Sequence, residues 1–218
     1  MMRSLAIWRP SERLSVLCLG AHSDDIEIGI GGTLLQWLNE GVKLDVLWCV
    51  LSAIGPRKSE ARASAADFLS RAERRRVELH SFRDGYFPAQ TAELKTHFEA
   101  MKDRIEPDII FTHWHDDAHQ DHRETCRHTW NTFRDHMIFE YEVPKWDGDI
   151  GRPNLYVPVH ADVMARKIQL LNQHFVTQRG KHWFDEETFR GLARLRGVEC
   201  RAKDRYAEGL FAHKLLLR

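Results

Sequence analysis

Apolar residues fall in short unbroken runs set between longer stretches of helical character. Residues 14–21 (LSVLCLGA), 43–52 (KLDVLWCVLS) and 108–112 (DIIFT) are continuous rather than alternating, the pattern of strands buried on both faces of a parallel sheet. Between them, residues 33–40 read as a helix closed by Gly41, residues 61–79 as a helix rich in Ala, Arg and Glu, and residues 92–105 as a helix stopped by Pro107. A helix over 121–136, strands over 137–143 and 154–159, and helices over 162–173 and 186–196 follow, and the amphipathic tail 206–217 fits a final helix or strand. Strand and helix alternate, which predicts an α/β, Rossmann-like open sheet, mostly parallel, with helices on both faces. Residues 1–218 read as a single domain, the loop over 147–153 being the best hinge candidate.

In such sheets ligands bind beyond the carboxyl ends of the strands. His22-Ser23-Asp24-Asp25 directly follows the first strand, and the run from His113 to His122 directly follows the strand at 108–112. Both therefore fall on one sheet edge, although about 90 residues separate them in the chain. Of 13 histidines, four (His113, His115, His119, His122) crowd into this second segment, which composition alone does not explain.

Catalytic zinc usually takes three protein ligands from His and carboxylate and leaves a position open for water. His22, Asp25 and His122 would supply that set. Asp24, pointing elsewhere than its neighbour, would take a proton from water, and His119 would stabilise an oxyanion. Asp121 is a candidate to accept the outer N–H of a metal-binding histidine. His113, His115, Asp116 and Asp117 read as pocket-lining or hydrogen-bonding neighbours rather than ligands. The bland alternative is that Asp24 and Asp25 only cap a helix.

AHSDDIEIGIGGTL, followed by HQDHRET, resembles the PIG-L/LmbE family of zinc-dependent N-deacetylases, with its AHPDD and HPDH-type motifs. Arg57-Lys58-Ser59-Glu60 looks like that family's R-x-x-E segment, FRDGYFP (82–88) like its D-G-x-x-P loop, and Tyr206-Ala207-Glu208 like its terminal A-E signature. The resemblance implies the same ligands (His22, Asp25, His122), base (Asp24) and transition-state histidine (His119). It adds Arg57 and Asp84 as substrate-binding residues. Ser23 and Gln120 stand where the family usually has Pro, and Ile26 where many members have Glu, although Glu27 follows. The implied reaction is removal of an acetyl group from an N-acetylated sugar or related small metabolite. Hydrolysis of a non-sugar acyl or formyl amine, or a non-catalytic metal- or sugar-binding role, are the alternatives. Zinc is the expected cofactor, with another divalent metal open because His/Asp sites discriminate weakly.

Gly29, Gly31 and Gly32 do not have dinucleotide-binding spacing and read instead as close helix–sheet packing. Trp114, Trp146 and Trp183 are candidate apolar surfaces, core packing being the default for each. Arg71, Arg74, Arg75 and Arg76, interleaved with Glu, read as a solvated helix face. Lys+Arg and Asp+Glu both number 32, which gives no reason to expect a nucleic acid or an anionic membrane as partner. The four cysteines (18, 49, 126, 200) form no C-x-x-C motif, and Cys18 and Cys49 read as small buried hydrophobes. With no leader-like or membrane-spanning run, a cytoplasmic protein is expected. A homo-oligomer is left open.

Overall fold

The computed structural model describes residues 12–216; the leader-free reading of the first residues and the tail's Leu217 fall outside the described residues. Strand β1 (Arg13–His22) runs into helix α1 (Asp25–Asn39), then β2 (Lys43–Ser52), α2 (Pro56–Phe68), β3 (Arg74–Leu79), α3 (Thr91–Lys102), β4 (Ile109–His113) and α4 (Gln120–Thr132). β5 (Met137–Tyr141), β6 (Leu155–Val159), α5 (Ala161–His174), α6 (Glu186–Glu199) and β7 (Tyr206–Ala212) complete the chain. The sheet order is β3-β2-β1-β4-β5-β7-β6. β1 to β5 are mutually parallel, and β7 pairs antiparallel with both β5 and β6. The α/β expectation holds, and the tail is a strand.

Both faces of the central strands are dry. Val16, Cys18, Val46, Trp48 and Val50 pack under α1, α2, α5 and α6, while Leu17, Leu19, Leu47, Cys49 and Leu51 pack under α3 with Phe133 and Ile138. That double burial is why these strands show no polar alternation. The order reverses between β1 and β4, so their carboxyl ends, His22 and His113, open onto one crevice.

Two predicted elements are corrected. The helix expected over 61–79 is two elements: α2 begins earlier, with Pro56 at its first position, and ends at Phe68. Arg75 Nη1 donates to the carbonyls of Ala66 (3.0 Å) and Leu69 (2.9 Å), occupying acceptors at that helix end. Residues 74–79 then pair with Asp45–Val50 as the edge strand β3. Arg74, Arg75 and Arg76 therefore line an exposed sheet edge rather than a helix face, where charge discourages further strand addition. Helix propensity lost to an available pairing partner.

The helix expected over 33–40 starts eight residues earlier, at Asp25, so the glycine-rich stretch is itself helical. A Cβ on Gly29 would lie 2.1 Å from Tyr141 Cδ2, and one on Gly31 2.6 Å from Phe68 Cε1. Gly29 lets α1 approach the sheet, as expected, while Gly31 lets it approach α2. Gly29→Ala is expected to destabilise by about 1–3 kcal/mol through overpacking. Thermal unfolding checks this at about 2–4 °C of Tm per kcal/mol for a chain of this size.

Candidate active site

At the crevice, β1 ends on His22, α1 begins at Asp25, and α4 begins beside His119 and carries His122 in its first turn. These short connections bring three candidate ligand atoms together. His22 Nδ1 lies 3.2 Å from His122 Nε2 and 3.3 Å from Asp25 Oδ2, and His122 Nε2 lies 3.5 Å from Asp25 Oδ2. Tetrahedral zinc with N and O ligands at the usual bond lengths needs separations of about 3.3–3.4 Å. The triad fits that geometry, and all three residues are buried.

The outward nitrogens are tied to carboxylates. His22 Nε2 lies 3.2 Å from Asp121 Oδ2 and 3.1 Å from Asp84 Oδ1, and His122 Nδ1 lies 2.9 Å from Asp117 Oδ2. Such partners select the tautomer and hold the ring in place. Asp121 also accepts from the amides of Gly85 (2.6 Å) and Phe87 (3.0 Å), so it fastens the Asp84 loop to His22. Burial disfavours charge throughout the cluster. Even so, His122, His113 and His22 hold Asp25 well below the usual carboxylate range, while Asp25, Asp121 and Asp84 hold His22 well above the usual imidazole range. The field here is one that retains positive charge, which a divalent cation would satisfy.

Asp24 occupies the N-cap position of α1, yet its side chain makes no capping hydrogen bond. Its Oδ1 accepts from Arg57 Nη2 (2.8 Å), and its Oδ2 is buried with no partner in the protein. The helix-cap alternative therefore does not account for this carboxylate. Burial raises its pKa, against the pull of Arg57. Arg57 Nη1 also lies 3.6 Å from Asp84 Oδ2, so Arg57 bridges the two aspartates. His119 Nδ1 accepts from the Asp121 amide (3.2 Å), which leaves Nε2 to carry the proton of the neutral ring. Burial, with His122 and His22 nearby, lowers the His119 pKa and favours that neutral form.

His22, Asp24, Asp25, Arg57, Asp84, His119 and His122 all line one cavity of about 140 Å³. A wider groove of about 400 Å³ at the opposite sheet edge is lined by no histidine or cysteine. The far wall of the smaller cavity comes from later in the chain: Val143, Lys145, Trp146, Asp147, Gln178, Lys181 and Trp183. Trp146 and Trp183 meet edge to face at 6.4 Å, whereas Trp114 stacks on Phe211 elsewhere. Lys145 Nζ reaches Asp117 Oδ1 (2.9 Å) and so extends the His122 chain. No motif marked Lys145, Lys181 or Gln178. Asp117, five residues before His122, is the hydrogen-bonding neighbour expected of it. His113 lies behind the triad, its Nε2 accepting from the Ala21 amide (2.9 Å), and His115 turns away to Glu140.

Solved structures of similar fold include the N,N'-diacetylchitobiose deacetylase of Pyrococcus horikoshii, at 21% identity and TM-score 0.68, covering 91% of this chain and 83% of that one. The 4-carboxy-2-hydroxymuconate hydratase GalB of Pseudomonas putida KT2440 is similar at 17% identity and TM-score 0.74, covering 94% and 98%. A teicoplanin deacetylase, Orf2, in a zinc inhibited form, is similar at 16% identity and TM-score 0.66, covering 91% and 97%. At these identities the likeness is one of fold. The sequence model described as PIG-L: GlcNAc-PI de-N-acetylase matches residues 17–133, a span that contains His22, Asp24, Asp25, Arg57, Asp84, His119 and His122. By that match, over more than half its length, the chain belongs to the PIG-L family.

Proposed function

We propose that this protein is a metal-dependent amide hydrolase that removes the acetyl group from an N-acetylated sugar or a related small metabolite. The observation that carries this reading is Asp24 Oδ2, a buried carboxylate oxygen without a partner on a residue that lines the same cavity as three convergent ligand atoms. His22, Asp25 and His122 would hold the ion. When bound, zinc acts as a Lewis acid that acidifies water and polarises a carbonyl. Asp24 takes the proton of the attacking water and delivers it to the departing amine nitrogen, so that one water and one amide become acetate and a free amine. Arg57 keeps Asp24 oriented through Oδ1, leaving Oδ2 for the proton. His119 donates from Nε2 to the oxygen on which negative charge develops. Trp146 and Trp183 supply apolar walls suited to a sugar face.

The family and its deacetylase-like folds support this chemistry. The hydratase of the same fold makes the product analysis decisive. Purified protein is incubated with a panel of N-acetylated sugars, and free amine and acetate are measured together. Equimolar release is expected, abolished by a chelator and restored by zinc. Absence of amine from every substrate while metal is bound would overturn the reading. Hydrolysis of formyl or non-sugar acyl amines alone would move the substrate class.

A further inference from the structure

A second group of ligand-type side chains lies under α3, on the far side of β2 and β3 from α1. Cys49 on β2 is paired in register with Glu78, so His80, two residues on, shares its face of the sheet, and His97 of α3 descends onto both. One ligand atom from each of Cys49, His80 and His97 lies within 4.8 Å of the others. Cys49 Sγ is 3.9 Å from His97 Nε2, and the two imidazole rings meet edge to face at 4.1 Å. Zinc bonded to sulfur at about 2.3 Å and nitrogen at about 2.0–2.1 Å in a tetrahedron needs an S···N separation of about 3.6 Å. The observed spacing is a few tenths of an ångström wider.

Within the cluster the one hydrogen bond is the long contact between the Cys49 thiol and His97 Nε2. Cys49 is fully buried, and His80 Nε2 is buried without a hydrogen-bond partner. Glu78 Oε2 stands 3.7 Å from His80 Nε2, but that carboxylate is already held by Arg104 Nη1 (3.0 Å) and Nη2 (3.3 Å). A comparable group, His115–Glu140–His213, differs in kind: Glu140 there is saturated by the Trp130 indole, the His115 amide and both imidazoles, so nothing in it calls for an ion. Burial also keeps both imidazoles of the Cys49 group neutral, as ligands must be, with His97 lowered to about 4. His80 and His97 are half-buried, which leaves a route for entry.

We infer that Cys49, His80 and His97 form a separate site for a thiophilic divalent cation of the zinc type. One thiolate and two imidazoles are a donor set that selects such ions over magnesium or calcium. Binding releases the thiol proton to solvent and forms the metal–sulfur bond. The ion would clip together the ends of β2 and β3 and the middle of α3. His80 lies four residues before Asp84, so this clip braces the base of the loop that reaches the candidate active site.

Cobalt(II) added to the metal-stripped full chain tests this directly. A thiolate–cobalt charge-transfer band in the near ultraviolet reads only a sulfur ligand, and the His22–Asp25–His122 triad has none. The band is expected in the wild type and in His122→Ala, lost in Cys49→Ser and much weakened in His97→Gln. Zinc is also expected to raise the Tm of His122→Ala but not of Cys49→Ser/His122→Ala. Absence of the band from the wild type at saturating cobalt overturns the site without recourse to any variant. A band that survives in Cys49→Ser assigns the metal to another thiol and overturns it equally. Acetate release is not read by this band, so the site and the proposed activity fail or stand separately.

Discussion

Asp24→Asn is expected to lower kcat for amide hydrolysis by about 10²–10⁴-fold, the usual contribution of a positioned general base, while leaving the metal bound. Asn has nearly the shape of Asp. Its carbonyl oxygen can still accept from Arg57 Nη2, so the side chain keeps its place. What it loses is the proton-accepting oxygen, because Oδ2 becomes an amide nitrogen that already carries two protons. His22, Asp25 and His122 are untouched, so metal analysis should match the wild type and His22→Ala should not. Wild-type kcat in Asp24→Asn would transfer the base to another group. Loss of metal from Asp24→Asn would make Asp24 a ligand. The split between kcat and metal content separates these outcomes, which activity alone does not.

Lys167→Met is expected to destabilise the fold by about 3–5 kcal/mol, because it leaves a buried carboxylate without its counter-ion. Lys167 Nζ donates to Glu208 Oε1 (2.7 Å) and to the Ile28 carbonyl (2.6 Å), and both side chains are buried. Glu208 in turn accepts from the amides of Gly32 (2.7 Å) and Thr33 (2.6 Å) and from Thr33 Oγ1 (2.6 Å). The pair pins α5 and β7 to the middle of α1. A Cβ at position 32 would fall 2.7 Å from Glu208 Oε1, so the glycine is part of the same arrangement. α1 starts at Asp25, and loosening it should also blunt metal affinity. Urea denaturation measures the loss. A cost below about 1 kcal/mol would mean that water reaches Glu208 and solvates it in place of Lys167. Glu208→Gln in the Lys167→Met background should recover part of the loss by removing the stranded charge.

Glu208 shows how a sequence signal and a structural role can part company. Tyr206-Ala207-Glu208 was legible as a family signature, but its place in the sequence says nothing of what it touches. The structure puts it outside the cavity that His22, Asp25 and His122 line, as the acceptor that holds α1 down. Arg57 is a milder case. It lines the cavity, but its nearest partner there is Asp24, at 2.8 Å, so its first effect is on the proposed base. The departure from the helix expected over 61–79 has the same origin. Residues 74–79 look helical in isolation, and only β2, about 30 residues earlier, makes them a strand.

Local sequence by itself determined the buried strands, the placement of HSDD and the His-rich segment after two of them, and thereby which three residues are proposed as ligands. These follow from patterns only a few residues long: unbroken apolar runs and polar residues at strand ends. The tertiary structure alone decided which carboxylate serves which histidine, with Asp121 on His22 and Asp117 on His122. It also decided that Asp24 keeps one oxygen free, that Trp146, Gln178 and Lys181 close the cavity, and that Cys49 meets two histidines. Each of these is a contact between side chains brought together by strand order and helix crossings. Such contacts depend on distances across the sheet, and no periodicity along the chain encodes those distances.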